Sequence, residues 1–379
     1  MKIKLLYALA VVSAVFVGCK KNNDGDSVPV RPGETINRLD KNGPANCYIV
    51  TKPGQYFFLP VKGNSNESVG DLRSAKILWE SFGTSETPNE GDVIGYCGLD
   101  LSQGDDALVM FSAPSPLRNG NAVIAVRDAT LNILWSWHIW VCADYDPEAS
   151  AQIYYGNAGT VMDRNLGATS ATPGDVGALG LMYQWGRKDP FLGGNGIMSS
   201  TRAASTGEWP EPVASGSGKN KQYALEHPMV FITNDSGSDR DWNCDGDGVS
   251  RLWYKPKSVD DPCPHGWRVP EGYTEGLWQT AINSLQSPAS PEVDDVNRGV
   301  NFFSVFGSSD TIWYPAAGFI NNVNGVINDV GNRNYTWSIT NSDHKSYFFG
   351  FDMFAGTYEN PDRDTDYRSY GHSVRCVKE

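Results

Sequence analysis

Between residues 133 and 142 large apolar side chains fall at every second position: Ile133, Trp135, Trp137, Ile139 and Val141 point one way. Leu134, Ser136, His138, Trp140 and Cys142 point the other. A period of two is the spacing of a β-strand, so this stretch is predicted as a strand, paired with residues 121–126 across the turn at 127–132. Because both faces carry bulky apolar groups, the strand is expected either to be covered on both sides or to meet a second domain with its outer face. Upstream, Cys47–Val50 and residues 55–61 flank Pro53-Gly54, which supplies the fixed and the positive φ of a type II turn, and a hairpin is predicted there. With further strands near 75–79 and 107–112, residues 33–146 read as an antiparallel β-sandwich. Asp144-Tyr145-Asp146-Pro147 breaks the pattern and marks its end.

Beyond this break the periodicity becomes mixed. Leu277, Trp278, Ala281 and Leu285 lie on one helical face after Pro270-Glu271, so a helix is predicted over 270–285. Residues 193–222 are rich in Gly, Ser and Asn and poor in apolar groups, the pattern of an exposed insertion. Strands are expected at 311–320, 336–340, 346–351 and 373–377. The fold class is mainly β, with an α+β C-terminal domain over residues 160–379.

The beginning of the chain follows a different logic. Lys2 and Lys4 precede an apolar run of about 13 residues, too short to span a bilayer, and the run ends at Phe16-Val17-Gly18-Cys19. This is the pattern of a lipoprotein signal peptide over residues 1–18, with Cys19 as the thiol that takes the lipid. Residues 19–32, polar and rich in Asn, Asp and Pro, are expected to form a flexible tether. The implied location is the cell envelope, lipid-anchored in the outer membrane and surface-exposed, with the membrane as a partner through the lipid. Removing the leader deletes two positive charges, Lys2 and Lys4, and takes the formal charge from -13 to -15. Such an acidic body has no electrostatic footprint for nucleic acid. Besides Cys19, six cysteines remain, and an exported chain would oxidise some of them; six thiols allow 15 pairings, among which spacing does not choose.

Four motifs in order carry a family resemblance. They are Met162-Asp163-Arg164-Asn165-Leu166-Gly167-Ala168, Tyr183-Gln184-Trp185-Gly186-Arg187-Lys188-Asp189-Pro190-Phe191, Asp261-Pro262-Cys263-Pro264-His265-Gly266-Trp267-Arg268-Val269-Pro270, and Gly371-His372-Ser373-Val374-Arg375-Cys376-Val377-Lys378. Residues 160–379 thereby resemble the Fibrobacter succinogenes major paralogous domain, found in surface lipoproteins of Bacteroides-like bacteria. Residues 33–146, through Asn46-Cys47-Tyr48-Ile49-Val50 and Trp135-Ser136-Trp137-His138-Ile139-Trp140, more loosely resemble the β module that precedes it in fimbrillin-like proteins. The resemblance implies a C-type-lectin-like fold closed by its paired ends, and a disulfide between Cys263 and Cys376.

Candidate chemistry is sparse. Asp241, Asn243, Asp245 and Gly246 match the first positions of a calcium loop, but position 12 is Leu252 where a bidentate Glu is needed, and an acidic glycine-rich turn is the first expectation. No other cofactor is implied. Trp185, Trp209, Trp242 and Trp313 are candidates for stacking on sugars, weighed against packing in the core. His138 reads as a packed histidine, while His265 and His372 neighbour the two cysteines expected to pair. No metal-binding His spacing, nucleophile elbow or phosphate loop is found. The reading is a non-catalytic, membrane-anchored binding or adhesion module for a glycan or a surface protein. Its alternatives are an accessory subunit of a fimbria-like fibre and an extracellular enzyme acting on polymers, which would need paired carboxylates in a deep pocket.

Overall fold

A computed structural model describes residues 36–101, 107–236, 240–245, 251–284, 292–304, 311–355, 357–359 and 363–379. The predicted leader, Cys19 and the tether lie outside the described residues. The fold is rich in β structure arranged in several sheets, with only two short α-helices among the described residues.

Eight strands come first: β1 (Ile36–Arg38), β2 (Cys47–Val50), β3 (Gly54–Phe58), β4 (Ser74–Ser81), β5 (Cys97–Asp100), β6 (Leu108–Ala113), β7 (Gly120–Arg127) and β8 (Ile133–Val141). They form two four-stranded sheets, β1-β3-β6-β5 and β2-β8-β7-β4. Inward side chains of both, among them Tyr48, Phe58, Phe111, Ile124, Trp137 and Ile139, make one cluster. The pairing of β7 with β8 is the one read from the alternation, with Ile124 opposite Trp137.

The predicted hairpin at Pro53-Gly54 does not form. Strand β2 pairs with β8 in parallel and β3 pairs with β6, so the Pro-Gly corner carries the chain from one sheet to the other. The reason is that both strands are apolar on the face they share: Tyr48 packs on Phe58, ring centroids 4.8 Å apart, across the interior and not within a ladder.

The opposite face of β8 is also covered, as its sequence requires. Trp140 and Cys142, with Cys47 of β2 and Trp79 of β4, join Met162, Leu181, Tyr183, Trp185, Trp253, Trp337 and the Cys263–Cys376 pair in a second cluster. The two halves of the chain are therefore packed through a common core.

In the second half, Gly159–Val161 pairs with Gln152–Tyr154 and with Val377–Lys378, and the latter pairs with Trp267–Arg268. The last strand thus lies between two segments more than a hundred residues upstream. A larger sheet contains Phe191–Leu192, Leu181–Gln184, Gly371–Ser373, Arg333–Ser342 and Lys345–Asp352 in that order. A third is built from Glu292–Asp294, Gly299–Ser304 and Thr311–Pro315.

The helix predicted from Pro270 begins only at Leu277, forming α2 (Leu277–Asn283), and Leu285 lies outside the described residues. Gly272 is pressed against Ser338 and Tyr273 has a positive φ of 70°, so the backbone before Gly276 is committed to a tight corner. Leu277, Trp278 and Ala281 are buried as predicted. The predicted strands at 311–320 and 373–377 are each broken in two. Residues 193–222 hold ordered structure, including a hairpin and the start of α1 (Lys221–Glu226).

Candidate functional site

Residues of the four motifs converge, and they converge inside the protein. Asn165 donates from Nδ2 to the Leu179 carbonyl and accepts from Arg375 Nε, tying the first motif to the last. Gln184 donates to the carbonyls of Ile232 and Ser369 and accepts from the Ile232 amide. Asp261 accepts from the amides of Cys263 and Val269, both at 2.9 Å, and burial pushes its carboxyl up to about 6. Asp261 thereby shapes the turn that presents Cys263 to Cys376, and these two cysteines form a disulfide with Cα atoms 6.1 Å apart. Cys47, Cys97, Cys142 and Cys244 are free thiols.

Lys188 and Asp189 sit beneath β8. The Lys188 ammonium donates to the Ser136 carbonyl (2.9 Å), to Ser136 Oγ (2.6 Å) and to Asp189 Oδ1 (2.8 Å), and Ser136 Oγ donates to Asp189. Desolvation lowers the Lys188 pKa, and the Asp189 charge opposes that drop. Arg187 donates to the carbonyls of Val230 and His227 just beyond α1. The small crevice above these residues also contains Asp260, whose carboxylate is paired with Lys221.

The residues singled out from sequence are placed as follows. Trp185, Trp242 and Trp313 are buried and have no ring face to offer a sugar. Trp185 donates to Ser338, and Trp242 donates to the Trp185 carbonyl, so both act as struts. Asp241 is turned inward: its Oδ2 accepts from Arg368 at 3.0 Å and its Oδ1 from the Asn243 amide, so its charge is met by a guanidinium. Asn243 accepts from the Asp245 amide, and Asp245 accepts from Asn220; Gly246 lies outside the described residues. Among the described residues, no group of three or more His, Cys, Asp or Glu side chains is arranged to hold a metal.

The histidines do not meet. His372 is buried against Trp337, ring centroids 4.0 Å apart, with Nε2 3.2 Å from Asp366. His265 is exposed and lies against Gly43. His138 is buried, bonded to Asn121 Oδ1 at 2.9 Å, and burial pushes its pKa down to about 3, so it is neutral in the fold.

Trp209 alone of the four tryptophans is half-buried. It follows a hairpin of Gly194–Gly196 and Ser199–Arg202, after which the chain lies along the edge of β4. There the Ala204 and Thr206 amides donate to the carbonyls of Thr84 and Glu80, and Ser81 Oγ donates to Ala204. Trp209 is wedged against Trp79 and Phe191 at centroid distances of 5.7 and 6.2 Å, with Nε1 donating to Ser205. The Arg202 guanidinium lies over its ring, 5.4 Å from the centroid.

Loop tips gather beside this hairpin. Met198, 59 % exposed at the hairpin turn, lies against Gly331. Val323 and Val326 project from the turn closed by the Asn321 amide and the Val326 carbonyl, and Gly325 of that turn lies against Pro212. Asn332 accepts from the Met353 amide and so positions Phe354, which is 81 % exposed. Exposed apolar side chains mark a recognition surface where they form a contiguous patch. These tips and Arg202 were not singled out from sequence. A signal was there in Asn322-Val323-Asn324-Gly325-Val326, where isolated valines stand in a turn that gives them nothing to pack against.

Comparison of the chain with known protein families, with curated proteins and with solved structures returns no match.

Proposed function

We propose that this chain is a lipid-anchored surface binding protein, its second half engaging a glycan or protein ligand through the loop face around Arg202, Trp209, Met198 and Phe354. The observation that carries this reading is the division of labour among residues. The motif side chains discussed above are mostly spent on the interior, whereas the exposed apolar groups stand on loops braced by backbone hydrogen bonds.

The disulfide supports an extracytoplasmic home, since such bonds persist in oxidising compartments, and it agrees with the signal pattern ending at Cys19. In this reading the first two sheets are the sandwich module, and the second half is the lectin-like domain that the motifs resemble. Fold likeness alone does not license a sugar ligand, so the loop face bears the argument.

The test is binding of the purified full-length chain to an array of glycans and surface proteins. Specific binding weakened by Phe354→Ser and Met198→Ser, with the near-UV spectrum unchanged, is the expected outcome. Binding indifferent to both substitutions would remove the assignment to this face. Incorporation of labelled palmitate, lost in Cys19→Ala, tests the anchor.

A further inference from the structure

The half-buried Trp209 was the candidate for stacking on a sugar ring, but its surroundings point to a different contact. Trp79 and Phe191 hold it from the protein side, and the guanidinium of Arg202 lies over its ring. A ligand approaching this loop therefore meets the cation supported by Trp209.

Arg202 is itself unusual. It ends the strand Ser199–Arg202, where Gly194 fixes its backbone, and its side chain is partly withdrawn from water, which lowers its pKa. Its guanidinium makes no hydrogen bond or ion pair to any described residue. Glu211 acts on it through space without forming an ion pair. Other withdrawn cations are committed: Lys188 to Asp189 and Ser136, Arg368 to Asp241, Arg187 to backbone carbonyls. A guanidinium presents five donors in a planar fork that fits two oxygens of one acid group. Holding that fork on an aromatic face, with its donors unspent, is a preorganised arrangement for an anion.

We infer that Arg202, propped on Trp209, receives the acid group of a glycan bearing a carboxylate or sulfate, such as a uronic or sialic acid residue. This rests on the reading of the loop face as a ligand-binding surface and names the ligand class for it. Glu211 acts on Arg202 through space and opposes such a ligand electrostatically.

The experiment compares matched oligosaccharides carrying a uronate, the same uronates reduced to the neutral sugars, and sulfated counterparts. Binding to the purified full-length chain and to Arg202→Gln, Arg202→Lys and Glu211→Gln is measured at low and moderate salt. Loss of roughly 10- to 100-fold in Arg202→Gln and on carboxyl reduction, with partial retention in Arg202→Lys, is expected from removal of a charge-assisted bidentate contact. Glu211→Gln is expected to tighten binding of the anionic sugars, so a gain guards against a variant that merely misfolds. Preference for uronate or for sulfate identifies the source of the anion. Binding of neutral glycans alone, or anionic binding unchanged in Arg202→Gln, would overturn this inference while leaving the loop face as a binding surface. Binding of an acidic peptide, measured alongside the set, with no binding of any glycan would overturn the ligand class. No binding to any member of the set would count against both.

Discussion

Lys188 is an ammonium with almost no water around it, its side chain 1 % exposed. Its stability depends on Asp189 and Ser136 being in place, because an unpaired buried charge is costly. Asp189→Ala is expected to destabilise the protein by about 3 to 5 kcal/mol, whereas converting the exposed Glu208 to Ala should change little; urea unfolding of both variants checks this. Two other buried groups set opposite pH trends. His138, with its folded pKa lowered to about 3, contributes stability that is present at neutral pH and lost as pH falls from about 6.5 toward 3, because the unfolded chain takes up the proton first. Asp261, raised to about 6, favours the folded state below about 4 and loses that contribution as pH rises through 6. Since the His138 shift is the larger, His138→Gln is expected to flatten the loss of stability between pH 6.5 and 4, and Asp261→Asn to flatten the opposing rise. Denaturation midpoints across that range decide it.

Among elements, the strand β8 was the most legible part of the chain, because a strand buried on both faces must write apolar groups at both parities, and Trp135, Trp137 and Trp140 do so. The Pro53-Gly54 corner was misread for a physical reason: a turn signal fixes a reversal of the backbone but not whether the next strand hydrogen-bonds to its predecessor or faces it. The helix before Leu277 failed similarly, since close contact of Gly272 with Ser338 is a tertiary fact that no local pattern records. The Cys263–Cys376 pair followed from motif resemblance and not from spacing, and the loop tips were only partly legible: isolated valines in the turn at 322–326 stand out, but their exposure depends on what the rest of the fold leaves uncovered.

Two predictions belong at this scale. Gly186, at φ 84°, has no room for a β-carbon beside Leu252, with 2.6 Å to the nearest atom, so Gly186→Ala should cost more than 1 kcal/mol and shift Trp185 and its indole contacts. Its signature is a change in near-UV circular dichroism together with a lower unfolding midpoint. Removing the disulfide as Cys263→Ser with Cys376→Ser opens a loop with a sequence separation of 113 and is expected to cost about 4 to 5 kcal/mol on the chain-entropy account. The comparison to make is with the reduced wild-type chain, which should lose a similar amount.

At the scale of the molecule, Trp79, Cys47 and Trp140 of the first half lie in one cluster with Trp185 and Trp337 of the second. Excision of residues 36–146 would bare that surface. The isolated fragment is expected to bind a hydrophobic dye and to unfold with reduced cooperativity, and the full chain to unfold in a single transition by fluorescence and by circular dichroism alike. Two separate transitions in the full chain would contradict the common core.

The strand Val377–Lys378 has a consequence for how the molecule is made. It lies between Gly159–Val161 and Trp267–Arg268, so neither can complete its ladder until residue 378 has emerged from the ribosome. At typical synthesis rates the 110 residues from Arg268 to Lys378 take roughly 5 to 20 s to appear. Through that interval the nascent second half lacks its closing strand and its bond from Cys376, so this ladder is among the last parts of the fold to close.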